Sequence, residues 1–257
     1  MKTKISFLAA LIIFATTIDA AIIPLMADSK KVAMGETLNY TASWGGITIG
    51  SATTKIDPRV HKLGAKNCYK IDVTGKTNGL ARLFYVNDKW TSYIDTATVM
   101  THKTFRSVRE GRYELDEIVY FDQKNQKADV RVYNKTSKTY QPKKVYDTPE
   151  CIRDVVAGFM FVRLVDLSRY KKGDVIVVNG FYEDEAYSMK IILDGSEVIK
   201  TVRGKVKCYK LKPLIPKNNL FNGQQAVSVW ISDSTVPTIM QITAKMFVGS
   251  FHIELDS

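Results

Sequence analysis

Thr37-Leu38-Asn39-Tyr40-Thr41-Ala42-Ser43-Trp44, followed by Gly45-Gly46 and then Ile47-Thr48-Ile49-Gly50-Ser51-Ala52-Thr53, is the stretch that decides the fold class. Its first eight residues place Leu38, Tyr40, Ala42 and Trp44 on one face and Thr37, Asn39, Thr41 and Ser43 on the other. That period of two belongs to a half-buried strand. Two glycines supply the backbone freedom of a tight turn, and the alternation then resumes, so the segment reads as a β-hairpin.

The same signature runs along the rest of the chain. Strands are expected at 68–74, 85–95, 103–108, 114–122 and 127–133, and again at 174–181, 186–193, 197–202, 206–213, 226–232, 237–247 and 250–254. Short strands at this spacing predict an all-β protein in the main, a curved antiparallel sheet or flattened β-barrel. One segment departs from the rule. Between Pro149 and Tyr170 the apolar residues Ile152, Val155, Val156, Phe159, Met160, Val162 and Leu164 keep helical spacing. Pro149 and Glu150 suit a helix start and Lys171-Lys172-Gly173 its end, so one central amphipathic helix is expected near residues 150–169.

The halves on either side of that helix match. Cys68-Tyr69-Lys70 returns as Cys208-Tyr209-Lys210, and each is followed by a strand closing on an aspartate, Asp95 in one half and Asp233 in the other. A strand, an acidic turn and a return strand explain this pattern, because an Asp side chain bonds its own turn backbone. The reading implies a pseudo-duplicated sheet with the helix at the crossover.

At the amino end, Lys2 and Lys4 precede an apolar run from Ile5 to Ile18 and small residues at Ala20, Ala21 and Ala27. That is the layout of a secretory signal peptide, too short to span a bilayer as a helix. The expected organisation is a signal peptide over 1–27 and a single β-rich domain over 28–257, with no integral membrane span after cleavage. The location that follows is exported, periplasmic or associated with the outer surface. The net charge is +11, and loss of the leader removes two lysines and one aspartate to leave +10. Such a surface attracts anionic partners, and in an exported protein lipid headgroups or acidic polysaccharide come before nucleic acid.

Chemistry-bearing residues are sparse. Cys68, Cys151 and Cys208 show no metal-ligand spacing; an oxidising compartment would allow one disulfide with one thiol left over, and the default expectation is that all three are small buried residues. His61, His102 and His252 lie far apart. There is no Gly-x-Ser-x-Gly elbow and no phosphate-cradling loop. Glu183-Asp184-Glu185 reads as a solvated hairpin turn. Glu36, Asp95 and Asp233 are the candidates for a pair of glycosidase carboxylates, which must flank one bond about 5 to 10 Å apart, but the two aspartates fall at equivalent turns of opposite halves, which argues against it. Asp154 and Arg163 are polar residues on an otherwise apolar helix, nine positions apart and on nearly opposite faces. They cannot meet each other, so each is expected to tie the helix to the sheet, with Arg163 holding a carboxylate, strand carbonyls or an anionic ligand.

Taken in order, Gly35-Glu36-Thr37-Leu38-Asn39-Tyr40, Trp44-Gly45-Gly46-Ile47, Ile49-Gly50, Gly111-Arg112-Tyr113, Asp154, Arg163 and Val229-Trp230-Ile231-Ser232-Asp233 before Val236-Pro237 resemble a family. It is the Gram-negative envelope proteins grouped as "domain of unknown function 3108", and the likeness runs from about residue 33 to 255. The resemblance implies an antiparallel β fold with barrel-like curvature and a periplasmic or surface location. It brings no catalytic residues. A curved sheet with a helix in its mouth is also the plan of periplasmic lipoprotein carriers, an analogy of architecture only.

Function is thus open among three classes. First comes a non-catalytic binding module for an anionic or amphipathic envelope component, lipid or glycan, with Trp44, Trp90, Arg163 and Trp230 as its ligand-binding residues. Second is a structural or assembly protein acting on an envelope protein, and third an uncharacterised hydrolase. No catalytic residue, metal or cofactor is assigned, and nothing in the sequence points to an enzyme. A continuous apolar cavity favours the first class, an exposed edge or flat apolar patch the second, and clustered carboxylates the third.

Overall fold

A computed structural model describes residues 32–78, 85–215 and 222–256. The leader expected over 1–27 lies outside the described residues. The strands are β1 (Thr37–Trp44), β2 (Ile47–Ile56), β3 (His61–Leu63), β4 (Lys66–Thr77), β5 (Asn87–Asp95), β6 (Thr101–Glu110), β7 (Tyr113–Asp122), β8 (Lys127–Asn134), β9 (Thr139–Tyr140) and β10 (Lys144–Asp147). After the helix α1 (Val155–Leu164) come β11 (Val175–Tyr182), β12 (Glu185–Thr201), β13 (Gly204–Pro213), β14 (Val227–Ser232), β15 (Ile239–Lys245) and β16 (Ser250–Leu255). The all-β expectation holds. The strands expected at 186–193 and 197–202 are one long strand, β12, bent by a register shift between Leu193 and Gly195.

All strands join one antiparallel sheet. Its order is β10-β8-β7-β6-β5-β4-β2-β1-β16-β15-β14-β13-β12-β11, with β3 and β9 attached at the side. Read from β11, this is an up-and-down meander broken at one place, where the first and last strands lie side by side with Tyr40 opposite Leu255. The two edge strands of the long path, β10 and β11, are the ones that α1 connects.

No ladder between β10 and β11 closes the sheet among the described residues. A short strap lies beside β11 instead and ties it to the β6–β7 side of the sheet. Arg153 N donates to Asn179 O at 3.1 Å and its carbonyl accepts from Phe181 N at 2.8 Å, a parallel bridge onto β11. On the other flank Gln123 Nε2 donates to both Thr101 O (2.6 Å) and Ile152 O (2.9 Å). The strap's side chains fill the seam: Ile152 packs with Val119, Phe121, Val130 and Phe181.

The strap also corrects the helix. The chain turns at Glu150 and Cys151 and Arg153 is held extended by its bridge to β11, so α1 begins at Val155 and has ten residues rather than the 150–169 span expected. Asp154 caps it, accepting from Ala157 N at 2.8 Å. Val165 leaves the helical region at ψ 136° and ends it. Nor is α1 amphipathic: Val155, Val156, Ala157, Met160, Phe161, Val162, Arg163 and Leu164 are all buried, as in a helix enclosed on every side. It lies against the inner face of the sheet, where Ile56, Ile71, Ile94, Ile176, Leu193, Leu211, Val229, Ile231 and Ile242 converge on it.

The duplication is visible in the register. Cys68 pairs with Asp95 across β4–β5, and Cys208 with Ser232, next to Asp233, across β13–β14. Lys70 faces Tyr93 as Lys210 faces Trp230. The shift into the third strand falls at the same point in each half, between Tyr93 and Ile94 and between Trp230 and Ile231. Cys68 and Cys208 are fully buried, whereas Cys151 is exposed, contrary to expectation. It sits at the turn into the strap with φ 54°, outside the duplicated meanders.

Arg163 anchors the far end of α1. Its Nη1 and Nη2 donate to the two carboxylate oxygens of Glu36 at 2.6 and 2.7 Å, and Nε donates to the carbonyl of Pro237. The guanidinium thereby fastens the helix to the starts of β1 and β15. Arg163→Ala leaves the Glu36 carboxylate largely buried without its cation and should cost about 3–5 kcal/mol in urea unfolding. The paired change Glu36→Gln with Arg163→Met should cost clearly less, because no orphaned charge remains. Equal losses in the two proteins would show that the pair is not what holds the helix.

Candidate functional site

Two apolar cavities flank α1 inside the sheet. The larger, about 130 Å³, lies between the helix and β1, β2, β4, β5, β15 and β16, and is lined by Leu38, Tyr40, Ala52, Val73, Trp90, Phe159, Met160, Arg163, Ile242 and Ile253 among others. The smaller, about 60 Å³, lies toward β11–β15 and is lined by Asp154, Gly158, Phe159, Val178, Tyr187, Met189, Leu211 and Val229 among others. Val155, Phe159 and Ile239 border both, so the half-buried Phe159 ring stands as a partition between them. For scale, an engineered apolar cavity of about 150 Å³ stays dry and binds benzene.

Polar groups are few, and each has a defined state. In the larger cavity the three guanidinium nitrogens of Arg163 are engaged as described above. Burial pushes the Tyr40 hydroxyl well above the usual phenol range, opposed by the charge of Arg163. Trp90 is almost fully buried and its indole N–H has no hydrogen-bond partner among the described residues. The smaller cavity has Tyr187, whose ring lies so close over Gly180 that a Cβ there would meet it at 2.6 Å. Burial raises the Tyr187 hydroxyl, and the neighbouring Asp154 adds to the effect.

Asp154 is the most constrained of these groups. Oδ1 accepts from Ser92 Oγ and Thr101 Oγ1, each at 3.0 Å, and from Ala157 N at 2.8 Å. Thr101 Oγ1 in turn accepts from Asp154 N at 2.9 Å. Oδ2 is buried without a partner among the described residues. Desolvation raises the carboxyl above its ordinary value despite the hydrogen bonds that oppose it.

Of the four residues proposed from sequence as ligand contacts, the structure brings Trp90 and Arg163 together in the larger cavity. Trp44 and Trp230 lie elsewhere. Trp44 is 41% exposed at the β1–β2 turn. Trp230 sits in a separate cluster with Cys208, Met240 and Leu255, its N–H held by Glu197 at 2.6 Å and its ring covered by Lys210. The register separates it from the cavity: Val229 and Ile231 point toward α1, so Trp230 between them points away.

Glu36, Asp95 and Asp233 do not converge. Glu36 is held by Arg163, Asp95 caps its own turn through Ala97 N and Thr98 N while touching His102 at 3.0 Å, and Asp233 meets Lys207 at 2.8 Å. Glu183 and Asp184 form the β11–β12 turn, with φ 48° and 65°. No cluster of three or more His, Cys, Asp or Glu placed to hold a metal occurs among the described residues. Burial lifts the Cys68 and Cys208 thiols to about 11, which leaves both protonated and unreactive at neutral pH.

Sequence reasoning passed over Arg153, Arg106 and Glu117. Arg153 is buried and its guanidinium is met by carbonyl dipoles, donating to Val99 O, Cys151 O and Thr98 O and lying 3.8 Å from the Phe161 ring centroid. Burial lowers its pKa to about 10. Arg106 and Glu117 form a buried ion pair at 2.9 Å beneath the stacked Trp90 and Tyr182 rings. In β6 and β7 both occupy inward positions, a break in the alternation that could have marked them.

A family model described as "Protein of unknown function (DUF3108)" matches residues 39–256. No curated protein matches the chain. Among solved structures, the chain is similar to the one reported as "Beta-barrel-like Protein of Domain of Unknown Function DUF1849 from Brucella abortus". The TM-score is 0.53 at 8% identity, over 86% of this chain and 95% of that one. At that identity the likeness bears on the fold alone.

The Asp154 carboxyl has a testable signature. Its folded-state pKa is raised, so the folded protein holds the proton more tightly than the unfolded chain, and its contribution to stability declines as pH rises from the ordinary aspartate value through the folded value. Asparagine caps equally well and does not ionise. Wild type minus Asp154→Asn stability, from urea unfolding between about pH 4 and 8, should therefore be most favourable at the acid end and fall as pH rises. A flat difference would show that the fold does not feel the charge.

Proposed function

The chain belongs to the family described as "Protein of unknown function (DUF3108)", and from that premise we propose that it is a non-catalytic binding module that holds the apolar part of a lipid-like envelope component between α1 and the sheet. The observation that carries this reading is the larger cavity, about 130 Å³, bounded by apolar side chains with the Arg163–Glu36 pair and Tyr40 at its border. Well-packed interiors do not leave such spaces without cost, since each cubic ångström of apolar cavity destabilises by about 24 cal/mol. An occupant of matching chemistry offsets that cost.

The lining favours lipid over glycan, because a sugar needs several hydrogen-bond partners and this cavity presents few. It also favours an amphipathic over a strongly anionic occupant: an anion at Arg163 has to displace Glu36 from both guanidinium arms. The orphan indole N–H of Trp90 supplies a single donor for an ester or hydroxyl oxygen. As it stands, the space suits one ring or a short length of acyl chain. Rotation of Phe159 would join it to the smaller cavity and admit a longer one. The exported, periplasmic or outer-surface location belongs to the same proposal and is supported by the basic and apolar leader pattern of residues 1–27.

Native mass spectrometry of the protein purified from envelope extract, with organic extraction of the bound fraction, tests the reading. A stoichiometric amphipathic molecule is expected, and Ala52→Phe, which fills the larger cavity, should lower its occupancy about tenfold or more. An empty protein that takes up no added lipid would overturn the proposal and leave protein partners as the stronger reading.

A further inference from the structure

The β1–β2 and β15–β16 hairpins end side by side, and their tips are apolar. Trp44 is 41% exposed, Ile47 70%, Phe247 63% and Val248 74%. Isolated exposed apolar residues are ordinary on protein surfaces, but four on two adjoining turns form a patch. The turns are locked together. Trp44 Nε1 donates to Val248 O at 3.0 Å, and Gly45 N donates to Ser250 O at 3.0 Å. The indole lies over Gly249, where a Cβ would come within 2.6 Å of Nε1, and the φ of 73° at that residue also favours glycine.

We infer that this double tip docks the protein on the surface of an anionic lipid bilayer. Three features single out that occupant. Trp and Phe with branched aliphatic side chains are the residues that settle at the headgroup–acyl boundary. The Trp44 N–H is already satisfied within the protein, so entering an apolar layer orphans no donor. Residues 43–49 and 244–251 contain no Asp or Glu but do contain the exposed Lys245, on a chain of net charge +11, which gives the tip the sign that anionic headgroups attract. The inference does not rest on cavity occupancy. It adds that the strands carrying the tip, β1, β2, β15 and β16, are four of the six strands whose inward residues line the larger cavity.

The test is co-sedimentation of the protein, expressed from its complete coding sequence and checked for equal mass between variants, with vesicles of phosphatidylglycerol in phosphatidylcholine. The wild type should sediment with them, less so as salt is raised, with a blue shift in tryptophan emission. Trp90 and Trp230 are 1% and 8% exposed, so that shift reports Trp44. The double variant Phe247→Asp with Val248→Asp should reduce partitioning about tenfold or more without moving the thermal midpoint, both sites being exposed. Lys245→Glu should remove part of the salt-dependent component. Wild-type protein that stays in the supernatant, or a double variant that binds as well as wild type, overturns the inference. So does a dimer that the double variant dissolves while no vesicle binding occurs, since that assigns the patch to a protein contact. Lipid in the cavity without vesicle binding would defeat this inference and leave the binding proposal standing.

Discussion

The structure depends on how one long open sheet disposes of its two edges and its apolar inner face. An unpaired edge exposes a row of backbone donors and acceptors, and an uncovered inner face exposes a row of apolar side chains. A single excursion of the chain answers for the β11 edge and for the inner face. The strap at 152–153 hydrogen-bonds to β11 on one flank and to the β6–β7 side on the other, and the helix that follows fills the interior. Because the helix is enclosed, its polar ends must be satisfied by the sheet. Asp154 does this at the start with Ser92 and Thr101, and Arg163 at the end with Glu36 and Pro237.

The cavities follow from that arrangement. A helix of ten residues crossing inside a broad meander does not reach every inward side chain of the strands around it. Gly158 presents no side chain toward Val178, and Ala52 presents only a methyl group, so space remains on both sides of Phe159. The same rigid frame carries the apolar double tip at the end of the strands that line the larger space. A protein that meets a lipid surface with one end of its sheet and receives an apolar group inside that sheet is a coherent physical reading of the two features together.

Much of this was legible in the order of residues. The alternation of Leu38, Tyr40, Ala42 and Trp44 gave the first strand, and the recurrence of Cys-Tyr-Lys before an acidic turn gave the duplication, because both are local patterns with a fixed period. Arg163 was legible as a tie because a guanidinium on an apolar helix must find acceptors. The early part of the expected helix was not legible: Arg153 is drawn into a bridge with Gly180, a tertiary pairing that overrides local preference, and the chain turns at Glu150 and Cys151 to enter it. Cys151 is exposed at that turn. Of the aromatic residues, Trp90 reached the cavity and Trp230 did not, since facing depends on register and on the shift beside Ile231, which composition does not report.

By itself the sequence determined the class of the fold, its antiparallel strands, the likeness of its two halves and the presence of one central helix, since these follow from side-chain period and turn chemistry within a few residues. Only the tertiary structure decided that the first and last strands lie side by side, that the helix joins the two edges, that Glu36 meets Arg163 across 127 positions of chain, and that Trp44 and Phe247 belong to one surface. Those are contacts between distant segments. They arise from the shared need to bury an inner face and satisfy buried charge, and no local pattern encodes which partner will do so.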